Sequence, residues 1–227
     1  MFIVCWSAKG GVGTTTVASA LGMSLGQASL DGPAIIVDLG GDVPAVLGVS
    51  DPSGPGLGEW LGSPTASADS LARIGTPVTD DLHVIGAGAL GAPSGQQISD
   101  DAWERFGRAC AHLGEERHVV VDAGPMMPAA AFHALADHSL LTARACYVVL
   151  RRSIPLALHA SGIVLVAEPG HSMGTTDVER SLGRPVLAEL PCDPAISQAI
   201  DAGLVNARVP HALVRPLRRF TSVAVGR

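Results

Sequence analysis

A glycine-rich segment near the start of the chain carries residue types that bind phosphate. It reads Lys9-Gly10-Gly11-Val12-Gly13-Thr14-Thr15-Thr16 and follows an apolar run at Phe2–Trp6. Its three glycines allow positive φ and a close backbone approach, so that successive N–H groups can surround phosphate oxygens. A helix beginning near Thr14 would add the favourable partial charge of its N-terminus. The segment therefore predicts a phosphate-binding loop, with Thr15 where a hydroxyl ligand of Mg²⁺ belongs.

The cationic side chains of this loop are unusual. In the standard phosphate loop, G-x-x-x-x-G-K-S/T, a lysine follows the last glycine, but here Thr14 holds that position and Ala8 replaces the first glycine. Lys9 is the only lysine of the chain. Since a hydrogen bond to a charged group contributes about 1.5–3 kcal/mol, we expect ATP binding to be weaker by about ten- to a hundred-fold. Less neutralised charge in the transition state also predicts slow hydrolysis or none.

Three carboxylates are candidates for the chemistry of this loop. Asp38 and Asp122 end the apolar runs Ala34–Asp38 and Val119–Asp122, and Asp42 follows shortly after the first run. Open α/β sheets bind ligands at the carboxyl ends of their strands. We therefore predict that Asp122 holds Mg²⁺ through water, with Asp38 also near the metal, and that Asp38 or Asp42 positions the attacking water. The alternative for each carboxylate is a helix cap or a solvated loop position.

The sequence around these residues alternates short apolar runs with stretches of helical period, and these are the elements that must position the candidate site. This pattern predicts one α/β domain over residues 1–227, a mostly parallel sheet flanked by helices on both faces. The strand candidates are Phe2–Trp6, Ala34–Asp38, Leu82–Ile85, Val119–Asp122, Ser139–Leu141, Ile163–Val166 and Val186–Leu190. The helix candidates are residues 14–25, a short helix at Leu57–Leu61, and Asp100–Leu113, Ala129–Ala136, Thr176–Leu182 (with a capping box of Thr176 and Glu179) and Pro194–Ala202.

The composition supports one core and argues against several classes of protein. Hydrophobic residues make up 47% of the chain, enough for one substantial core. The formal net charge of −6 argues against a protein that is generally coated by nucleic acid. The apolar runs are too short to span a bilayer, and no secretory signal is visible, so we expect a cytoplasmic protein. The tryptophans Trp60 and Trp103 are expected in the core, as are the four cysteines, which form no CxxC pair.

The C-terminal segment, residues 205–227, is basic, since no acidic residue follows Asp201. It permits two interpretations: an amphipathic tail that meets a membrane or DNA, or a helix that packs against the domain. Pro210 and Pro216 disfavour one continuous helix. The apolar positions at helical spacing are Leu213, Val214, Leu217 and Phe220, interleaved with Arg215, Arg218 and Arg219.

These motifs together resemble the ParA/MinD family of deviant Walker A P-loop ATPases, whose loop reads K-G-G-x-G-K-S/T. Ile35-Ile36-Val37-Asp38, with Asp42, resembles the family's first switch, and the segment from Val119 through Asp122 to Pro125 resembles its Walker B strand and second switch. The resemblance implies ATP and Mg²⁺ as cofactors, with Gly124 among the nucleotide contacts. It also implies a homodimer in which Lys9 reaches the partner's phosphates, and a protein, DNA or membrane partner.

The departures from the family pattern leave two functions open. Family members often read adenine with an asparagine after a strand that here ends in Val166-Ala167, so the segment around Pro191–Pro194 is the remaining candidate for base contact. The first function is an ATP-dependent dimeric positioning or partitioning switch. The second is a degenerate scaffold or localisation factor that binds nucleotide weakly, as in the Tad/CpaE-like branch, which serves pilus and secretion machinery.

Overall fold

One sheet of eight strands forms the centre of the molecule. The computed structural model describes residues 1–29, 32–91, 98–170, 172–206, 211–218 and 220–221. The strand order is β3-β4-β2-β5-β1-β6-β7-β8, and all neighbours pair in parallel except β3 and β4, which are antiparallel. The strands are β1 (Phe2–Trp6), β2 (Ala34–Asp38), β3 (Thr76–Thr79), β4 (Leu82–Ile85), β5 (Val119–Asp122), β6 (His138–Arg144), β7 (Gly162–Ala167) and β8 (Val186–Pro191).

The seven predicted strands are confirmed, and the sequence pattern missed one. Strand β3 is short, mostly exposed and contains Pro77, so it lacks the apolar run that marks the buried strands. A proline is tolerated there because β3 lies at the edge of the sheet. The predicted α/β class with a mostly parallel sheet is confirmed.

Helices cover both faces of this sheet. All six predicted helices are present, whereas α2, α4, α7 and α10 were not predicted as separate helices. The helices are α1 (Thr14–Ala28), α2 (Val43–Leu47), α3 (Leu57–Gly62), α4 (Ala68–Arg73), α5 (Asp100–Glu116), α6 (Ala130–Leu135), α7 (Tyr147–Ser153), α8 (Thr175–Leu182), α9 (Pro194–Asp201) and α10 (His211–Val214).

The predicted capping box of α8 is wrong in its residues. The helix begins one residue earlier than predicted, with Gly174 as its N-cap. Asp177 accepts a hydrogen bond from the Gly174 N–H at 3.0 Å. Glu179 instead accepts one from the N–H of Val186, the first residue of β8, at 2.8 Å. The glutamate therefore joins the helix to the following strand and leaves the capping to Asp177.

Two apolar clusters, one on each face of the sheet, make up the core. The first contains Trp60 and Trp103 under α3 and α5, which confirms both tryptophans as packing residues. The second lies under α1, α9 and α10. Cys5 and Cys110 are fully buried, and Cys146 and Cys192 pack against the clusters, as predicted. No helix in the described ranges is long and apolar enough to cross a membrane.

The C-terminal segment packs on the second cluster. Leu213 and Leu217 are fully buried, and the ring of Phe220 meets that of His138 edge to face, with centroids 5.0 Å apart. Of the segment's arginines, Arg215 and Arg218 are exposed, whereas residues 207–210, 219 and 222–227 lie outside the described residues. The packed alternative is confirmed for 211–218 and 220–221, so their apolar side is not available for insertion into a lipid bilayer.

Shortening a buried side chain of this packed segment should lower the stability of the whole domain. We expect Leu217→Ala to reduce the free energy of unfolding by about 2–5 kcal/mol, because it leaves a cavity at a fully buried site. Leu204→Ala is the matched control, since Leu204 is 49% exposed, and it should change stability by less than about 1 kcal/mol. Guanidinium unfolding measures both variants. Equal losses for the two would contradict the packing described.

Candidate functional site

The predicted phosphate loop lies between β1 and α1 with the backbone geometry that the glycines require. Gly11 and Gly13 have φ angles of 76° and 98°, in the left-handed region that side chains disfavour. Gly13 is also the N-cap of α1. Val12 is buried between them, at 2% exposure. The loop therefore presents the backbone N–H groups of the helix start to the carboxyl edge of the sheet.

Hydrogen bonds join the base of this loop to the end of the neighbouring strand β5. The Ser7 N–H donates to the Gly124 carbonyl at 2.9 Å, and the Ser7 hydroxyl approaches both the Gly124 and the Lys9 carbonyls at 3.1 Å. The Gly124 N–H in turn donates to Asp122 Oδ1 at 3.0 Å. The phosphate loop and the carboxylate of Asp122 are thus joined by one set of hydrogen bonds through Ser7 and Gly124. Ser7 was missed by the sequence analysis, although it directly follows the predicted strand Phe2–Trp6.

Thr14 and Lys9 occupy different environments within the loop. Thr14 is the first residue of α1 and is 5% exposed, so the position of the standard lysine holds a short buried hydroxyl. Lys9 is exposed, and its Nζ lies 3.3 Å from the carbonyl of the neighbouring Gly10. The ammonium is therefore placed at the outer surface of the loop. Thr16, two residues further along α1 than Thr14, is half-buried beside the cleft described below.

Asp122 is a fully buried carboxylate with unused hydrogen-bonding capacity. Its Oδ1 accepts from Gly124, whereas Oδ2 has no hydrogen-bond partner among the described residues. Burial raises the pKa of Asp122 to about 7, and the nearby Asp38 adds to this, while the Thr15 hydroxyl lowers the pKa. A buried carboxylate with an unpaired oxygen is costly unless a cation or a proton compensates it.

The surroundings of Asp122 fit Mg²⁺. Oxygen ligands are those that Mg²⁺ prefers, and Thr15 supplies a hydroxyl next to the Asp122 carboxyl group. A Cβ atom at Gly40 would lie 3.6 Å from Asp122 Oδ2 and 3.6 Å from Asp38 Oδ1. A side chain at this position would therefore fill the space beside the two carboxylates, which glycine leaves open. Gly124, with φ of 55°, borders the same space.

Asp38 is used by the backbone of the turn that follows it. It pairs with Asp122 in the β2–β5 register, and its Oδ1 accepts from the Gly41 N–H at 2.7 Å and its Oδ2 from the Val43 N–H at 3.0 Å. Burial raises the pKa of Asp38, and these backbone N–H groups oppose the rise. The side chain thus anchors the turn that leads into α2. This agrees with the alternative given above, in which the carboxylate caps a helix. A contact with metal or water stays a prediction.

Asp42 is the more accessible of the two candidates for positioning water. It is exposed and serves as the N-cap of α2 through its carbonyl, which accepts from the Val46 N–H at 3.0 Å, while its side chain makes no capping bond. Its charge raises the pKa of both Asp38 and Asp122, so the three carboxylates share one neighbourhood. The tertiary structure therefore brings all three predicted acids together at the mouth of the phosphate loop.

A narrow cleft of about 80 Å³ adjoins the phosphate loop on the side of β7 and β8. The predicted base-contacting segment lies there, since Pro191, Cys192 and Asp193 line the cleft together with Gly13 and Thr16. The remaining walls are mostly apolar. They are formed by Val17, Val166, Leu190, Ile196, Ile200 and Leu213, with Ser197 and Arg144.

Arg144 is a charged residue of this cleft that the sequence analysis missed. Arg144 is the last residue of β6 and so lies at the carboxyl edge of the sheet. Its place shortly after the predicted strand Ser139–Leu141 could have marked it as a candidate site residue. Its guanidinium pairs with Glu168 at 2.5 Å, and both side chains are about one-third exposed. Pockets that bury a whole small ligand usually measure about 300–1,000 Å³, so a nucleoside would need this cleft to widen.

A larger groove lies away from the phosphate loop, along the outer edge of the sheet. It measures about 610 Å³ and follows β8, where Leu187, Glu189, Thr175 and Arg215 contribute to its walls. Pro191, at the start of the predicted base-contacting segment, lines both this groove and the smaller cleft, but no described residue of the phosphate loop lines the groove. The chemistry of the candidate site is therefore assigned to the smaller cleft and the loop.

The ionisation of Asp122 should make stability depend on pH in the absence of metal. Its pKa is about 7 in the folded chain and about 3.9 when unfolded, so the folded state holds the proton more tightly. Stability from this group is full below about pH 4 and is lost as the pH rises through about 7. We expect wild type to lose on the order of 4 kcal/mol relative to Asp122→Asn over this range. Urea unfolding across a pH series measures the difference, and parallel profiles would contradict it.

Comparison with known proteins identifies the fold. No protein-family model matches the chain, and no curated protein sequence matches it. Among solved structures, a ParA family ATPase from Chlorobium tepidum TLS aligns with a TM-score of 0.73 and 18% identity over 97% of this chain and 98% of that one. The MinD cell division protein of Aquifex aeolicus aligns with a TM-score of 0.74 and 14% identity over 99% and 96%. The septum site-determining protein MinD from Pyrococcus horikoshii OT3, complexed with Mg-ADP, aligns with a TM-score of 0.70 and 20% identity over 98% and 94%. The chain therefore has the fold of the ParA/MinD ATPases.

Proposed function

We propose that this chain, which has the ParA/MinD fold, is a nucleotide-binding member of that family that acts as a dimeric positioning or partitioning switch. The observation that carries the proposal is the connected site of the glycine loop, Gly124 and Asp122, in which Asp122 Oδ2 has no hydrogen-bond partner among the described residues and the Thr15 hydroxyl lies next to the same carboxyl group. Solved proteins of this fold include one described with Mg-ADP. ATP and Mg²⁺ are the proposed cofactors.

Each residue of the site has a role in this proposal. The backbone of residues 10–16 surrounds the phosphates, and Thr15 and Asp122 hold Mg²⁺, which neutralises phosphate charge when bound. Asp38 anchors the turn that carries Asp42, and the exposed carboxylate of Asp42 orients the attacking water. Thr14 supplies hydrogen bonding without positive charge, so turnover is slow.

Lys9 gives the proposed switch its dependence on a second subunit. Its ammonium lies on the exposed face of the loop, where it is accessible to the phosphates of a facing copy. In an interface closed around nucleotide, this charge would compensate for the one that Thr14 does not provide. We therefore propose that ATP binding and dimerisation are linked through Lys9.

Dimerisation with Mg-ATP tests this function. Light scattering coupled to size-exclusion chromatography should show wild type moving from monomer to dimer when Mg-ATP is added, and Lys9→Ala should need about ten-fold more protein to dimerise. Arg218→Ala removes one exposed charge elsewhere and serves as the matched control. A wild-type protein whose mass does not change with saturating Mg-ATP would refute the switch.

A second function is favoured by the cleft. Its volume of about 80 Å³ is small for a nucleoside, and the chain has Val166-Ala167 where an amide would read the base. The alternative is a scaffold or localisation factor for a secretion, pilus or division machinery that binds nucleotide weakly. Calorimetry distinguishes the two: equal affinity for tripolyphosphate and ATP would mean that the base contributes nothing, and would favour the scaffold.

The site of action that we propose is the cytoplasm, with peripheral contact to a membrane or to the nucleoid. Arg215 and Arg218 are exposed, while the apolar residues of the same segment are buried in the domain. Contact with an anionic surface would therefore be electrostatic and would weaken as salt is raised. Co-sedimentation with DNA and with anionic vesicles at two salt concentrations measures this contact.

A further inference from the structure

An exposed apolar and basic surface lies around α7, outside the candidate site. Helix α7 follows the end of β6 and leads through a turn to a 3₁₀ turn at Ala157–His159. We define the α7 surface by six of the exposed side chains of this stretch. They are Tyr147, Val148, Arg151, Arg152, Ile154 and Leu158.

The apolar members of the α7 surface are much more exposed than large hydrophobic residues usually are. Tyr147 is 70% exposed, Leu158 65%, Ile154 54% and Val148 50%. Most of the exposed large hydrophobic side chains in the described part of the chain lie in this stretch. Exposed apolar residues gathered in one place, unlike single ones, indicate an interaction site.

The orientation of the α7 surface is fixed by the residues between its members. Val149 and Leu150 are 3% and 5% exposed, and Ser153 is fully buried, so these side chains hold the inner face of the helix against the first core cluster. Arg184 donates to the carbonyls of Ala157 and Leu158 at 3.1 and 3.0 Å, and so braces the second half of the surface. The apolar side chains are therefore presented to solvent by a supported backbone.

The charge around the α7 surface is positive although the chain is acidic overall. No acidic residue occurs between Asp137 and Glu168, whereas Arg151 and Arg152 both point to solvent. On the neighbouring α8, Asp177 bonds Gly174 and Arg180, and Glu179 bonds Val186. These two acids of α8 are thus engaged with their own helix or with the strand that follows it.

We propose that the α7 surface docks a segment of a partner protein that carries acidic side chains beside apolar ones. Tyrosine and arginine are enriched among the residues that contribute most to protein interfaces, and the positive charge selects an acidic partner. A membrane is the weaker match, because recognition of anionic lipid usually takes about four to eight basic residues. The proposal names the chemistry of the protein partner, and it rests on the proposed function only in that this protein acts through a partner.

A synthetic helical peptide of glutamate, leucine and alanine tests the docking surface directly. Fluorescence anisotropy without nucleotide should show binding of this peptide to the full chain, and a matched peptide with glutamine for glutamate should bind at least ten-fold more weakly. The double variant Arg151→Glu/Arg152→Glu should lose at least ten-fold in affinity, and Tyr147→Ser/Leu158→Ser should lose a similar factor.

Matched controls separate this surface from general charge effects and from the nucleotide site. Arg215→Glu/Arg218→Glu makes the same charge change at another exposed position and should leave peptide affinity unchanged. Circular dichroism confirms that each variant is folded. Equal binding of the two peptides, an unaffected α7 double variant, or capture of anionic phospholipid vesicles in place of the peptide would each overturn the proposal. Calorimetry with Mg-ATP on the same variants should be unchanged, so a failure here is distinguishable from a failure of the nucleotide switch.

Discussion

Thr14→Lys is expected to strengthen Mg-ATP binding by about ten- to a hundred-fold. Thr14 stands at the first position of α1, where the standard loop carries its phosphate-binding lysine, and it is 5% exposed. An ammonium there would make charged hydrogen bonds with phosphate oxygens, each contributing about 1.5–3 kcal/mol. In the free protein the same charge faces the positive end of the helix, so a loss of about 0.3–1 kcal/mol in stability is expected without ligand.

Thr14→Gln is the control that isolates the charge. It lengthens the side chain and keeps a hydrogen-bond donor, but it adds no positive charge. Isothermal titration calorimetry with Mg-ATP should therefore show a large gain for lysine and little change for glutamine. An equal response of the two variants would mean that the phosphates do not lie against the start of α1, and the cradle would lose its proposed ligand.

Asp122→Asn is expected to change metal affinity and stability in opposite directions. Groups that hold a bound metal through water typically affect its affinity by about 10–100-fold, so Mg²⁺ should lose most of its effect on ATP binding. Asparagine can still accept the hydrogen bond from the Gly124 N–H through its own oxygen, but it carries no charge to bury. The variant should therefore be more stable than wild type at pH 8 without metal.

The two directions are measured with separate experiments. Calorimetry of ATP with and without Mg²⁺ gives the metal dependence, and urea unfolding at pH 8 gives the stability. Asp80→Asn removes one carboxylate from an exposed turn and should alter neither quantity. A variant that keeps its full Mg²⁺ dependence would show that Asp122 serves the backbone alone.

Local chemistry explains why the loop and the buried strands were predictable. The strands of a parallel sheet covered on both faces need continuous apolar runs, and runs such as the one that ends at Asp122 are visible without any knowledge of the fold. Glycines at positions of positive φ are likewise a local requirement, met at Gly11 and Gly13. The carboxylates at the ends of β2 and β5 could be assigned to one edge for the same reason, since parallel neighbours end together.

Elements that lack a local signal depended on tertiary contacts. Helix α7 contains two adjacent valines and an exposed tyrosine, residues that favour strands, and it is helical because its inner face packs on the core. The edge strand β3 has no apolar run and pairs only because β4 offers an open edge. The segment after residue 210 had two interpretations until the burial of Leu213 and Leu217 selected one.

The sequence by itself determined that the chain folds as a mostly parallel sheet with a phosphate loop, and that the only lysine of the chain, Lys9, lies in that loop. Only the tertiary structure decided that both oxygens of Asp38 accept hydrogen bonds, that Asp122 Oδ2 has no partner among the described residues, and that the cleft beside the loop is narrow. Hydrogen-bond partners and cleft volume arise from residues distant in the chain, such as Gly13, Arg144 and Leu213. Residue types and their spacing fix which groups are available, and packing across the whole chain decides which of them are left unpaired.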